Sequence, residues 1–149
     1  VSICFSKGLG APVGSVLVGS KALIEVAQRW RKVLGGGMRQ AGVLAAACRY
    51  ALDHNVERLA EDHDNAAHLA SGLAQIDELT VQSQATNMVF VQFPPEHCQQ
   101  LEAWLKARGI LTQMLYACRF VTHMDVSRPD IDTFVDALKA YFCAPAFRK

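Results

Sequence analysis

The 149-residue sequence has almost no charge imbalance, because its 15 lysine and arginine residues stand against 14 acids. It also contains no apolar run of the ~18 residues that a membrane-spanning helix needs. With 51% hydrophobic residues, the chain is too apolar and too nearly neutral for a disordered acidic or basic tail. These absences favour a globular protein with enough chain to bury a real core.

Several motifs of known chemistry are missing as well. The sequence has no Walker sequence, no G-x-G-x-x-G and no G-x-S-x-G, so the nucleotide sites and the hydrolase elbow that use them have no support. His54, His68 and His97 have no second ligand at metal-binding spacing, so we expect no metal. The five cysteines include no C-x-x-C pair and the chain has no N-x-[ST] sequon, which favours an intracellular, cytoplasmic location.

The residue pattern predicts an α/β chain in two parts. Residues 1–54 show a strand, a glycine-rich loop, a second strand and two helices, at about 21–33 after a Ser20 cap and at about 38–52. Residues 55–149 show the pattern of a small α/β unit whose last helix begins with a capping box of Ser127 and Asp130. In this second part we expect a helix at about 55–75, a second helix that begins after residue 95, and a last helix that ends at residue 142. We expect strands at 80–82, 87–93, 110–113 and 119–122.

Five cations and no acid occur between residues 28 and 52, and this asymmetry indicates an anion nearby. The cations are Arg29, Arg31, Lys32, Arg39 and Arg49. Three interpretations remain open: a solvated face, a nucleic-acid patch, or a site for one phosphate. The phosphate site would use Lys32, Arg39 and the backbone amides of residues 35–37, at the start of the helix predicted from residue 38.

Two further side chains are candidates for chemistry. Lys7 directly follows an apolar strand, where we expect partial desolvation to favour the neutral amine that attacks an aldehyde. An ordinary surface lysine is the alternative. Arg119 shares one face of its strand with Val121 and His123, and its guanidinium needs either a structural acid or a substrate carboxylate as a partner.

Several segments occur in a characteristic order: SKGLGAPVGS at 6–15, RWRK at 29–32, GGGMRQ at 35–40 and RFVTHMDVS at 119–127. Together with residues 54–63 and 86–90, they resemble the low-specificity L-threonine aldolases over nearly the whole chain. The resemblance implies the α/β fold of type I pyridoxal-phosphate enzymes, the aminotransferase-like fold. Residues 1–54 would then be the C-terminal piece of the large cofactor-binding domain, and residues 55–149 the small C-terminal domain.

The resemblance also implies roles for four residues. Lys7 would form the Schiff base with pyridoxal 5′-phosphate, Lys32 and Arg39 would reach the cofactor phosphate, partly across a subunit interface, and Arg119 would hold the substrate α-carboxylate. The implied reaction is the cleavage of L-threonine or L-allo-threonine to glycine and acetaldehyde, a carbon–carbon lyase reaction of threonine catabolism. The implied assembly is a homotetramer that takes a small amino acid and binds neither nucleic acid nor membrane.

The sequence departs from the family because it lacks the residues that normally precede the strand before the Schiff-base lysine, Lys7. We therefore expect a fragment of a parent aldolase that is inactive alone. One alternative is a non-catalytic remnant that at most associates with full-length subunits, and another is a different lyase or aminotransferase of the same fold. We also expect the first fifty residues to expose apolar surface, because their strands and helices have too few partners in the chain.

Overall fold

The structure, a computed structural model, describes residues 1–144. The chain forms two compact units, Val1–Leu59 and a second unit that begins at Ala60. The boundary therefore follows residue 59, whereas the sequence pattern predicts it after residue 54. That the two parts correspond to the end of a large domain and to a small domain stays a prediction.

The first unit contains one small sheet and two helices. Its elements are β1 (Ser2–Cys4), β2 (Ser15–Leu17), α1 (Lys21–Val33) and α2 (Gly42–His54). The two strands are antiparallel, and the Ser20 side chain accepts a hydrogen bond from the Leu23 N–H at the start of α1, as the sequence predicts. The predicted start of the second helix at residue 38 is wrong. Residues 39–41 form a turn, with Gln40 at a positive φ of 50°, and the helix begins only after it.

The first unit exposes much apolar surface, which confirms the expectation for this part of the chain. Its buried core consists only of Phe5, Ala11 and Ala51. α1 has no buried residue at all. The exposed apolar stripe of α1 recurs at helical spacing and comprises Leu23, Val26, Trp30 and Val33.

The second unit combines three helices with an antiparallel sheet of order β3-β4-β5. Its elements are α3 (Leu59–Leu73), β3 (Thr80–Ala85), β4 (Met88–Gln92), a 3₁₀ turn (Pro95–His97), α4 (Cys98–Lys106), β5 (Ala117–Val121) and α5 (Arg128–Cys143). None of the helices in residues 1–144 has the length and apolarity to span a bilayer.

The strand predicted at residues 110–113 is wrong. Gly109 adopts a left-handed φ of 78°, and the Ile110 N–H donates to the Leu105 carbonyl, which ties the start of this segment to the end of α4. At its other end the Met114 N–H donates to the Glu102 carboxylate at 3.1 Å. The segment is thus held by α4 and not by the edge of the sheet.

The core of the second unit lies on one face of its sheet. Val89 and Val91 of β4 and Cys118 of β5 are buried among side chains of the three helices. Because side chains alternate along a strand, Phe90 and Arg119 stand on the opposite, exposed face. The fold therefore presents Arg119 on an open sheet surface.

The capping box of α5 forms as predicted and carries a pH-dependent stabilisation. The Ser127 N–H donates to the Asp130 carboxylate at 2.9 Å, and the Asp130 N–H donates to the Ser127 hydroxyl at 3.4 Å. Hydrogen bonds from the Ser127 side chain and backbone hold the pKa of Asp130 below its usual range. Because the folded-state pKa is the lower one, the stabilisation is fully present above the unfolded-state pKa and is lost as the pH falls through the folded-state value.

We expect Asp130→Asn to lower the thermal unfolding midpoint at neutral pH and to have a much smaller effect at a pH below the folded-state pKa of Asp130, where the wild-type carboxyl is itself protonated. Circular dichroism melts at both pH values measure this difference. Asp136→Asn, an exposed change within the same helix, serves as the control. An Asp130→Asn effect that is equally large at both pH values would contradict the prediction.

Candidate active site

Lys7 lies in a tightly hydrogen-bonded turn between β1 and β2. The Gly10 N–H donates to the Lys7 carbonyl at 2.8 Å, and the Ala11 N–H donates to the Phe5 carbonyl at 3.0 Å. The Phe5 N–H donates to the Gly14 carbonyl at 2.9 Å and closes the loop. The turn therefore fixes the backbone on both sides of Lys7.

The lysine side chain itself is exposed, so the predicted partial desolvation is wrong for the structure described. Phe5 and Ala11 are the residues of this turn that enter the small core, and Lys7 lies between them on the outer side. Its amine is consequently open to a ligand.

The turn is also anchored by the segment that follows α2. The Asn55 amide donates to the Leu9 carbonyl at 2.8 Å. A Cβ at Gly8 would lie 3.1 Å from a Leu59 methyl, so glycine permits this close approach. Asn55 belongs to the segment 54–63 that resembles the aldolases, but the sequence predicts no contact for it. Residue order does not indicate which carbonyl a side-chain amide bonds to when the two are far apart in the chain.

The glycine-rich turn after α1 does not offer its amides to a ligand. The Gly36 N–H donates to the Arg31 carbonyl at 2.7 Å, and the Gly35 N–H donates to the Lys32 carbonyl at 3.1 Å. The Gly37 N–H donates to the Gly35 carbonyl at 2.9 Å. These amides are used to end α1, and the next helix begins several residues later. The prediction that they bind a phosphate at a helix start is therefore wrong.

The start of α2 has a different electrostatic environment. This helix begins at Gly42. The residue before it, Ala41, provides no side-chain cap, and the first turn contains no acid, so its N–H groups and positive dipole end favour an anion. Arg39 is exposed in the turn just before it. Lys32 packs over Gly37, where an added Cβ would lie 2.8 Å from the Lys32 Nζ. Gly37 thus leaves the space that the Lys32 ammonium needs.

Two of the five cations of this region are held by groups of the first unit, and the other three, which include Arg29, form no ion pair in residues 1–144. Arg49 pairs with Asp53 at 3.7 Å, and Arg31 donates to the Gly36 carbonyl at 2.6 Å. Within residues 1–144, Lys7, Lys32 and Arg39 form no ion pair with an acid. Their charges remain available to an anionic ligand.

Cys4 adds a polar group near Lys7 that sequence reasoning missed. Its thiol is exposed and lies 3.3 Å from the Ser6 hydroxyl. Hydrogen bonds from the Ser6 and Ser15 side chains lower the pKa of Cys4, with a smaller contribution from the Lys7 charge. The register that puts Cys4 opposite Ser15 appears only once the strands pair.

Arg119 borders a depression on the exposed face of the three-stranded sheet. The predicted alternation is confirmed, since Arg119 and Val121 are exposed while Thr122 is buried. The depression has a volume of about 450 Å³, and its lining includes Gln82, Ser83, Phe90 and Gln92 but no acid. Arg119 has no ion pair in the described part of the chain, so the interpretation as a structural ion pair receives no support there.

The fold is shared with enzymes of known structure. A putative aromatic amino acid beta-eliminating lyase/threonine aldolase from Exiguobacterium matches with a TM-score of 0.78 and 18% identity, over 95% of this chain and 44% of that one. An 8-amino-7-oxononanoate synthase from Francisella tularensis matches with a TM-score of 0.73 and 18% identity, over 94% of this chain and 44% of that one. The chain therefore has part of the α/β fold of type I pyridoxal-phosphate enzymes.

Sequence comparison narrows this class to one family. The family model described as beta-eliminating lyase matches residues 1–120. A low specificity L-threonine aldolase of Escherichia coli strain K12 is 52% identical over 130 residues, which cover 87% of this chain and 39% of that protein. The chain belongs to the beta-eliminating lyase family, and the resemblance to threonine aldolases is confirmed. It spans about two fifths of the length of that curated relative.

Proposed function

We propose that this chain is part of a pyridoxal-phosphate-dependent aldolase that cleaves L-threonine or L-allo-threonine to glycine and acetaldehyde. The observation that carries the proposal is the exposed Lys7 amine on a turn whose backbone is hydrogen-bonded on both sides. The threonine aldolase of Escherichia coli, at 52% identity, supports the same activity. Lys7 is then the residue that binds the cofactor covalently.

The residues of the first unit fit the anionic end of the cofactor. Lys32 and Arg39 would hold its phosphate, close to the uncapped start of α2. When bound, pyridoxal phosphate supplies an electron-accepting ring that takes up the charge released by a breaking Cα–Cβ bond. The Lys7 Nζ would supply the nucleophile for covalent attachment.

The second unit contributes Arg119. Its guanidinium can hold the substrate α-carboxylate through two parallel hydrogen bonds, and so fix the orientation of the bonds around Cα. Because no acid lines the depression, the positive charge of Arg119 is available to the substrate carboxylate. As part of the same proposal, the protein acts as a homotetramer in the cytoplasm, and the exposed apolar stripe of α1 is consistent with association.

Borohydride trapping tests the proposal. The protein is incubated with pyridoxal phosphate, reduced with borohydride and mapped by peptide mass spectrometry, and threonine cleavage is assayed on the same preparation. We expect the reduced cofactor on Lys7 and not on Lys21, an exposed lysine of α1 that pairs with Glu25. Scattered labelling over the lysines would contradict the assignment of Lys7. Absent labelling would favour the non-catalytic alternative, a chain that only associates with complete subunits.

A further inference from the structure

Phe90 is the cross-strand neighbour of Arg119 on the exposed face of the sheet. It lies opposite Arg119 in the register of β4 with β5, and opposite Ser83 in the register of β3 with β4. Residues opposed in this way have Cβ atoms about 4.5–5.5 Å apart, with their side chains on the same face. Phe90 is 39% exposed although it stands in the middle strand, between buried Val89 and Val91. Phe90 and Arg119 are therefore side-chain neighbours on this face, and both border the depression.

A β-bulge shapes the polar rim of the same depression. Val81 lies opposite Val91 and Ser83 lies opposite Phe90, so Gln82 is an extra residue in β3. Gln82 and Gln92 both border the depression, and no acid does. Within residues 1–144 no ion pair sets the direction of the Arg119 guanidinium, so neighbours on the same face, such as Phe90, are the groups left to influence it.

The physical need for such packing follows from the length of the arginine side chain. An arginine loses much rotamer freedom when it binds a carboxylate, and a neighbour that excludes unproductive rotamers beforehand reduces that loss. One arginine of the chain already packs on an aromatic ring, since the Arg108 guanidinium lies 3.3 Å from the centre of the Trp104 ring.

We propose that Phe90 is a positioning residue for Arg119. Its ring confines the guanidinium to the part of the depression bordered by Gln82 and Gln92, where a substrate carboxylate is then held. This inference rests on the proposed carboxylate-binding role of Arg119. It adds to that role the residue that restricts the conformations of Arg119 before the substrate binds.

The first test needs no catalytic activity. Nitrogen-15 relaxation of the Arg119 Nε–H is measured in the whole protein for the wild type, Phe90→Ala, Phe90→Leu and Val121→Ala. Val121 is the matched control because it is exposed on the same face but lies opposite Met88. We expect Phe90→Ala to lower the Arg119 order parameter, Phe90→Leu to restore most of it, and Val121→Ala to leave it unchanged. An unchanged value in Phe90→Ala, or an equal loss in Val121→Ala, would overturn the proposal.

The second test uses the holoenzyme with L-threonine. We expect Phe90→Ala to raise KM roughly three- to tenfold, the range for immobilising one further side chain on binding, with kcat nearly unchanged. In an Arg119→Ala background the same change should add nothing, because its effect acts through Arg119. A full additional rise there would overturn the proposal. If the complete wild-type holoenzyme, of which this chain is a part, cleaves no threonine, the proposed function fails, while the relaxation experiment still decides the role of Phe90.

Discussion

Lys7→Arg is expected to abolish borohydride-trapped cofactor and to reduce threonine cleavage by several orders of magnitude, as when a covalent nucleophile is removed. Arginine preserves the charge and much of the length of lysine. Its guanidinium is not deprotonated in proteins, so it offers no neutral amine for Schiff-base formation. The measurements are the absorbance of protein-bound cofactor and the rate of acetaldehyde release.

Lys21→Arg is the matched control for this substitution. Lys21 begins α1, is exposed and pairs with Glu25 at 4.0 Å, remote in sequence from the Lys7 turn. The control should retain both cofactor trapping and activity. If Lys7→Arg also kept its trapped cofactor, another lysine would be the attachment site and the assignment of Lys7 would be wrong.

Leu138→Ala is expected to lower the free energy of unfolding of the second unit by about 3 kcal/mol, within the range for truncating a fully buried leucine. Leu138 lies in α5 with 0% of its surface exposed, in the cluster that joins the helices to the sheet. The loss combines the transfer free energy of the removed methyl groups with the cost of the cavity left behind. Urea denaturation followed by circular dichroism measures it.

Leu111→Ala provides the comparison, because Leu111 belongs to the same unit and is 81% exposed. A change of less than about 0.5 kcal/mol is expected there, as for most surface substitutions. Equal losses in the two variants would show that the helix side of the sheet is not the stabilising core of this unit.

The sequence predicts best where structure is local. The start of α1 at Ser20 and the capping box of Ser127 and Asp130 involve residues three positions apart, so composition and spacing suffice to identify them. The strand expected at residues 110–113 failed because the Ile110 amide bonds to the end of α4 and the Met114 amide selects the Glu102 carboxylate, twelve positions earlier, as its acceptor. Local patterns contain no information about that choice.

The same distinction between local pattern and three-dimensional contact applies to the candidate site. Lys7, Lys32, Arg39 and Arg119 were identified from the sequence, because each belongs to a short segment with a characteristic residue order, and their proposed roles stay predictions. The exposure of Lys7 and the use of the amides of residues 35–37 to end α1 were not identified. Both depend on which backbone groups meet in three dimensions.

By itself the sequence determined the α/β class and the family resemblance, and it supplied the residues that are proposed to carry the chemistry. Only the tertiary structure decided that Phe90 stands beside Arg119 and that Gln82 is an extra residue in its strand. The physical reason is that strand register depends on the pairing of backbone groups far apart in the chain, and a shift of one residue would turn every side chain of a strand to the other face.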